Sequence, residues 1–442
     1  MRKGKTILLF LAIWIPQNSP AQISPSLQNL KTFLDINHPP GLDSTMRSIN
    51  IMPAGTLHYL YPLYQLYGMD ENFKRWYPEG QYYNLLSQSA AFLEDYESAL
   101  YYQQQSYSST IDETARRQVA KLMATYKNIQ HADARRFLLY ESRNQRVIMF
   151  NESYNKPVHR AFMISMLGDF YRRGFRYLAL EMLNNRSGRE LTKLTRESGF
   201  YTSEPLGGEM VRTALDLGYK LIAYEDTLAT EHSPSLRDSI QAANIYKVIQ
   251  RDTSARILVY AGYGSIAEKN TWDTSYIPMA MTFKRISGID PLTVDQVDMT
   301  EVSNFAYGKY FYDTYMQKFS ISSPSIAMIN DQPLNVTGST LYDLAIIHPI
   351  TQYRDARPVW MNLGGRRQPL YIKPTNKNTF LVQAYYQLET YDGKPGTTVP
   401  ADQTYIPANK GSFLLYLKKG QYIILFRDMK YRILYSQHVE VN

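Results

Sequence analysis

Cysteine is absent from this chain of 442 residues, so neither a disulfide nor a cysteine-linked lipid anchor is available to it. Tryptophan is scarce, at 4 residues, and charge is moderate, with 48 Lys and Arg against 40 Asp and Glu. The cations gather into no dense basic tract, which argues against a nucleic-acid partner. Long apolar runs are missing too. The clearest, Ile7 to Ile15, has nine residues, well short of the roughly 20 that cross a bilayer as a helix. What is present is apolar material, 44% of the chain, which excludes intrinsic disorder and suffices for large cores. The length exceeds the roughly 250–300 residues at which one core stops growing, and two to three domains are expected. Tyrosine is abundant, 38 residues against 17 Phe, a surplus of rings with a polar handle that suits binding grooves and strand faces.

The N-terminus has the pattern of a secretory signal peptide over residues 1–21: Arg2, Lys3 and Lys5, then the short apolar run, then Ser19-Pro20-Ala21 before Gln22. Its removal leaves a formal charge of +5 in place of +8. An exported protein follows as the expectation, periplasmic or secreted, with no transmembrane segment and a fold held by its core without covalent staples.

Residues 22–140 read as irregular lead-in structure followed by helices. Leu85, Leu86, Ser89, Ala90 and Leu93 sit at helical spacing, and Phe92 to Leu100 resembles a single tetratricopeptide unit without the further repeats that such stacks need. Further helices are expected over roughly Asp112–Tyr126 and from Ala132 onward. Residues 141–357 alternate buried strands with amphipathic helices. The strands are Val147–Phe150, Tyr177–Leu180, Leu221–Tyr224 and Ile257–Ala261, and connections of this length imply parallel pairing. Pro291–Asp295, Ser325–Ile329 and Asp343–Ile347 are expected to continue the same sheet. From residue 358 to 442 the texture turns to alternation punctuated by Asp392-Gly393 and Lys419-Gly420, the pattern of an antiparallel, sandwich-like β-domain. The fold class is therefore α/β, a mostly parallel sheet flanked by helices, with a helical segment before it and a β-domain after it.

In such a sheet ligands bind beyond the carboxyl ends of the strands. Glu152 and Glu181 close two strands at that edge, where a carboxylate pair can share a proton, hold a metal or activate water. Strand-end carboxylates also arise merely because loops are solvated. His159 follows at the start of a helix, where it can act, cap or pack. Gly262 and Ser265 belong to the turn Gly262-Tyr263-Gly264-Ser265, whose backbone N–H groups can meet an anion. Glu268 and His348 fall near the same edge if the strand order holds.

The stretch Val147-Ile148-Met149-Phe150-Asn151-Glu152-Ser153-Tyr154-Asn155-Lys156-Pro157-Val158-His159-Arg160, with Gly174 to Glu181 and Arg256 to Ser265, resembles the erythromycin esterase, TraB/TIKI and ChaN-like haem-uptake superfamily over roughly residues 146–288. The resemblance implies that Glu152 is the motif glutamate, Glu181 the second-strand glutamate and His159 a downstream histidine of the ChaN-like branch. Two departures matter. Tyr154 and Ser265 stand where the superfamily places histidines, which removes a neutral-pH base and the nitrogen ligands of a zinc site. Haem remains open through Tyr154, since a phenolate is an accepted axial ligand, and a hard divalent metal through the oxygen donors.

These features lead to a first expectation: an exported protein whose site is degenerate and which binds a small-molecule or cell-surface ligand or serves as a scaffold. The opposing expectation is an active hydrolase of an ester or amide, with Glu152 as base, Glu181 orienting it or a metal, and His159 or His348 replacing the missing imidazoles. A third is that the β-domain and helical segment bind a partner or glycan while the α/β domain holds them together.

Overall fold

A computed structural model of the chain describes residues 49, 51–52, 55–68, 78–107, 111–185, 190–270, 275–303, 307–389 and 398–442. The expected signal peptide and the Asp392-Gly393 turn lie outside them. Among the described residues no helix is long and apolar enough to cross a membrane.

The centre is a six-stranded, wholly parallel sheet. Its strands are β2 (Val147–Glu152), β3 (Tyr177–Leu180), β4 (Lys220–Ala223), β5 (Ile257–Gly262), β6 (Leu292–Asp295) and β9 (Leu344–Ala345), in the order β4-β3-β5-β2-β6-β9. Helices α6 (Pro157–Arg172), α7 (Pro205–Leu217), α8 (Pro234–Arg251) and α9 (Met279–Ser287) make the crossovers. Period-2 alternation divides the sheet into two faces. Ile148, Phe150, Leu258 and Tyr260 face one way into the largest core with Phe162, Met166 and Leu206 of α6 and α7. Val147, Met149, Val259 and Ala261 face the other way, beneath Ile245 of α8 and Phe283 of α9. Burial on both faces is why these strands read as unbroken apolar runs. The expected stop at Gly218 is real: the residue has φ +89, and a Cβ there would meet the Tyr171 hydroxyl at 2.8 Å.

Two expectations need correction. Ser325–Ile329 (β7) does not extend the parallel sheet. It pairs antiparallel with β1 (Gln130–Asp133), Ala132 opposite Ile326, and with its hairpin neighbour β8 (Gln332–Pro333), in a small separate sheet, because an apolar run fixes that a strand is buried and not which edge it joins. The lead-in, expected to be irregular as far as about Gly80, contains a short helix, α1 (Tyr61–Gly68), burying Leu63 and Leu66 three residues apart. The helical segment at Leu85 to Leu100 forms a single hairpin, α2 (Glu79–Phe92) and α3 (Tyr96–Ser106), in keeping with its one tetratricopeptide-like unit. Two further expected helices form, α4 (Glu113–Thr125) and α5 (Ala134–Glu141), each capped by an Asp side chain, Asp112 and Asp133.

After a two-residue ladder of β10 (Tyr353–Arg354) with β11 (Arg357–Pro358), the C-terminal part comprises two antiparallel sheets on one core. A pair, β12 (Gln368–Ile372) with β15 (Phe413–Leu417), faces the four-stranded sheet of β13 (Leu381–Tyr386), β14 (Asp402–Thr404), β16 (Gly420–Arg427) and β17 (Ile433–Val441). Ile372, Val382, Leu415, Ile424 and Phe426 meet between them.

Buried ions tie this part to the helical hairpin. Arg357, fully buried, donates to Glu94 in the α2–α3 turn at 3.1 Å and to Asp402 at the start of β14. Burial, and then the neighbouring Asp402, hold the Glu94 carboxyl above its usual range. Next to it Asp95 caps α3 through Ser98 N at 3.1 Å and accepts from the buried Tyr405 hydroxyl. Removing one member of such a set strands its partners without solvent. We therefore expect Arg357→Met to cost about 3–5 kcal/mol in urea unfolding, with much of that recovered when Glu94→Gln and Asp402→Asn are added.

Candidate functional site

The carboxyl ends of β2, β3 and β5, with the ends of β4 and β6 beside them, build a strand-end site from side chains far apart in sequence. Glu152, the last residue of β2, is 2% exposed, and it is not free. Arg160, one helical turn into α6, grips both its oxygens, with Nη2 to Oε1 at 2.9 Å and Nε to Oε2 at 2.7 Å. The same guanidinium reaches Glu204 Oε2 at 2.9 Å. Glu204 in turn is the N-cap of α7 and accepts from Leu206 N at 3.1 Å and Gly207 N at 2.6 Å. Pro205 at the first helical position leaves no orphan donor of its own, so the local sequence Glu204-Pro205 is what starts α7 here. Burial raises the Glu152 carboxyl above its usual range, and Arg160 only partly offsets this.

Glu181, the residue after β3, forms a second cluster. It accepts from Gly262 N, from Arg237 of α8 and from the Tyr154 hydroxyl at 3.3 Å. Arg237 also holds Glu225 after β4, through Nε to Oε1 at 3.0 Å, and Gln241 Nε2 reaches the same Oε1 at 2.9 Å. The Tyr154 ring lies on Tyr201 at 4.5 Å between centroids and edge-on to Tyr263 at 5.1 Å. Gly262 makes this packing feasible, because a Cβ there would fall 1.9 Å from the Tyr154 hydroxyl oxygen.

Between the clusters lies a cavity of about 90 Å³ lined by Glu152, Tyr154, Glu181, Met182, Tyr201, Glu225, Arg237, Tyr260 and Ala261. It has room for a few waters or a very small ligand, and is far below the roughly 300–1,000 Å³ of ordinary small-molecule sites.

The eight residues singled out in the sequence separate into four places. Glu152, Tyr154 and Glu181 line the cavity, and Gly262 beside it donates its N–H to Glu181. His159 and His348 lie elsewhere, both buried, with ring centroids 5.2 Å apart. His159 Nδ1 accepts from Ser153 N at 3.1 Å, while its Nε2 and both ring nitrogens of His348 lack hydrogen-bond partners. Beside them the buried Lys156 donates to Val302 O at 2.9 Å, and desolvation brings its amine down to about 7. Ser265 is buried in its turn next to Tyr276 and outside the cavity. Glu268 is on the opposite face of the sheet, 2.7 Å from Thr293 Oγ1 and close to Asp343. Its placement near the strand-end site is thus corrected: Thr293 pairs with Met149 mid-strand, so Glu268 sits below the edge and not on it.

Sequence reading missed Arg160, Glu204, Arg237, Tyr201 and Tyr260. Arg160 stood within the motif stretch, and its spacing of eight from Glu152 around a strand-to-helix turn was the available signal. Arg237 lies 56 residues from Glu181 and carried none. A further pair at this edge, His232 Nδ1 with Asp226 Oδ2 at 2.6 Å, follows β4, but no histidine lines the cavity.

The donor set does not fit haem: Tyr154 is committed to Glu181 in a buried stack, and the cavity is too small for a macrocycle. Nor do the described residues contain any group of three or more His, Asp or Glu arranged to hold a metal ion. No family model matches the chain, and no curated protein matches it.

Two outcomes follow from this geometry. Gly262→Ala forces the Tyr154 ring out of its stack and should cost about 1–3 kcal/mol in chemical denaturation, whereas Gly264→Ala, whose Cβ would meet nothing within 4 Å, should be nearly neutral. Burial holds His348 down to about 3 and His58 to about 4, against 6.5 when unfolded. Their contribution to stability is therefore complete above pH 6.5 and is lost as the pH falls toward those values, because the unfolded chain binds the extra protons. The urea midpoint should fall between pH 6.5 and 4, and His348→Leu should flatten that fall.

Proposed function

We propose that this is an exported, divergent relative of the erythromycin esterase, TraB/TIKI and ChaN-like superfamily whose strand-end site binds or scaffolds and no longer hydrolyses. The observation that carries the proposal is the grip of Arg160 on Glu152. A general base must present a free lone pair to a water within about 2.6–3.2 Å. Glu152 instead gives both oxygens to a guanidinium, in a triad that also anchors the start of α7. Glu181 is likewise committed, to Arg237, Gly262 N and Tyr154. The imidazoles that would substitute for the missing motif histidines, His159 and His348, face each other in the interior and not the carboxylates. Buried ion sets of this kind rigidify a strand edge, which suits a platform on which the helical hairpin and the two C-terminal sheets are held.

Purified protein should therefore show no hydrolysis of chromogenic esters or amides above buffer. Turnover that disappears in both Glu152→Gln and Glu181→Gln would overturn this reading in favour of the hydrolase.

A further inference from the structure

The two C-terminal sheets have four edges, and three of them are guarded. At β14 the residues Asp402, Gln403 and Thr404 are buried, and Gln403 Nε2 donates to Phe92 O of the helical hairpin at 2.7 Å. At β15 the Tyr416 N–H is taken by the Asp402 carboxylate. β12 is five residues long and carries Pro369, which has no N–H to offer a neighbouring strand. β17 is different. It runs nine residues, Ile433–Val441, with no proline, lysine or arginine, the residues that natural sheets place on an edge to blunt it. Its backbone bonds to β16 on one side, and among the described residues no donor or acceptor meets it on the other. The one irregularity, a register shift opposite Tyr435 and Ile433, lies at its start and leaves residues 436–441 regular. Along that regular stretch Ser436, Gln437, His438 and Glu440 are exposed.

We propose that β17 is a dimerisation edge: it pairs antiparallel with β17 of a second copy of this chain, Val439 opposite Val439, so that two four-stranded sheets become one. The strand's own sequence selects a copy of itself and this register. About a two-fold axis through Val439, each His438 stands opposite the second copy's Glu440. An imidazole N–H then donates to a carboxylate twice, and directly opposed pairs of this kind stabilise a sheet. The two Val439 side chains meet at the centre, on the face of the strand that already packs with Tyr435 and Val441 against the core between the C-terminal sheets. An axis through His438 opposes two imidazoles instead. An axis through Gln437 sets each Glu440 against Leu434, an apolar side chain that cannot answer the charge. Pairing about Val439 also stays clear of the irregular start of the strand. These residues lie in the C-terminal sheets, apart from the strand-end cavity, so the pairing stands whatever that cavity binds.

The test combines sedimentation equilibrium of the purified chain with cysteine cross-linking, which the absence of native cysteine makes unambiguous. The chain is expected to sediment as a dimer. Val439→Cys should cross-link to its own copy under mild oxidation, because directly opposed Cα atoms lie about 4.5–5.5 Å apart, within disulfide reach. Gln437→Cys should not, since its two copies are then separated by four residues of strand, roughly 13 Å. His438→Glu, which opposes carboxylate to carboxylate at two symmetric positions, should weaken the dimer about 10-fold. Adding Glu440→His to it should restore the affinity. Both positions are exposed, so these variants keep the fold, and their urea midpoints check that they do. The proposal is overturned by a chain that stays monomeric, by a dimer that His438→Glu leaves intact or that the exchange of the two side chains does not restore, or by cross-linking at Gln437→Cys in place of Val439→Cys. An ester-cleaving activity would sink the preceding reading and leave the dimer standing.

Discussion

The Arg160 guanidinium, fully buried between Glu152 and Glu204, is the interaction on which the site depends. It joins the end of β2, the first turn of α6 and the N-cap of α7 at a single point. A charge at that depth has no water to fall back on, so its partners must be placed to within hydrogen-bond distance or the fold loses several kcal/mol. The consequence is geometric precision at the strand edge, obtained by giving away the carboxylate that the superfamily resemblance would use for chemistry.

The same device recurs where the parts of the chain meet. Arg357 binds the α2–α3 turn to β14 through Glu94 and Asp402, and Glu209 of α7 receives Arg367 at 3.2 Å and the Tyr386 hydroxyl at 2.9 Å from the C-terminal part. The largest hydrophobic cluster runs without a break from Ile49 to Tyr431, across the helical hairpin, the parallel sheet and the edge of the β-sheets. Without cysteine, cohesion between these parts rests on shared apolar surface and on buried ion sets, whose partners come from distant segments and fix their register. Tyrosine contributes in the same way. Tyr59, Tyr219, Tyr224, Tyr312 and Tyr405 bury their rings and spend their hydroxyls on long-range partners, which accounts for much of the surplus of this residue.

Much of the architecture was legible in the chain because it is written in local pattern. Two-sided burial makes β2, β3 and β5 continuous apolar runs, helical spacing marks α6 and α7, and crossovers of that length leave only parallel pairing. Glu152, Tyr154, Glu181 and Gly262 come together because each closes or follows a strand at the same edge of the sheet. Ser325–Ile329 misled for the same reason that the others succeeded: an apolar run states that a strand is buried but not which sheet buries it. Glu268 misled because the turn that follows β5 carries the chain over to the other face.

What the sequence determined by itself is the order and kind of elements, set by period and by glycine and proline punctuation, which act within a few residues. What only the tertiary structure decided is the state of the carboxylates. Whether Glu152 is a base or half of an ion pair depends on a guanidinium eight residues on, across a strand-to-helix turn. Whether Glu181 is free depends on Arg237, 56 residues away on another helix. Charge acts through space and is decided at distances of about 3 Å, and spacing along a chain does not encode such distances until the fold has closed.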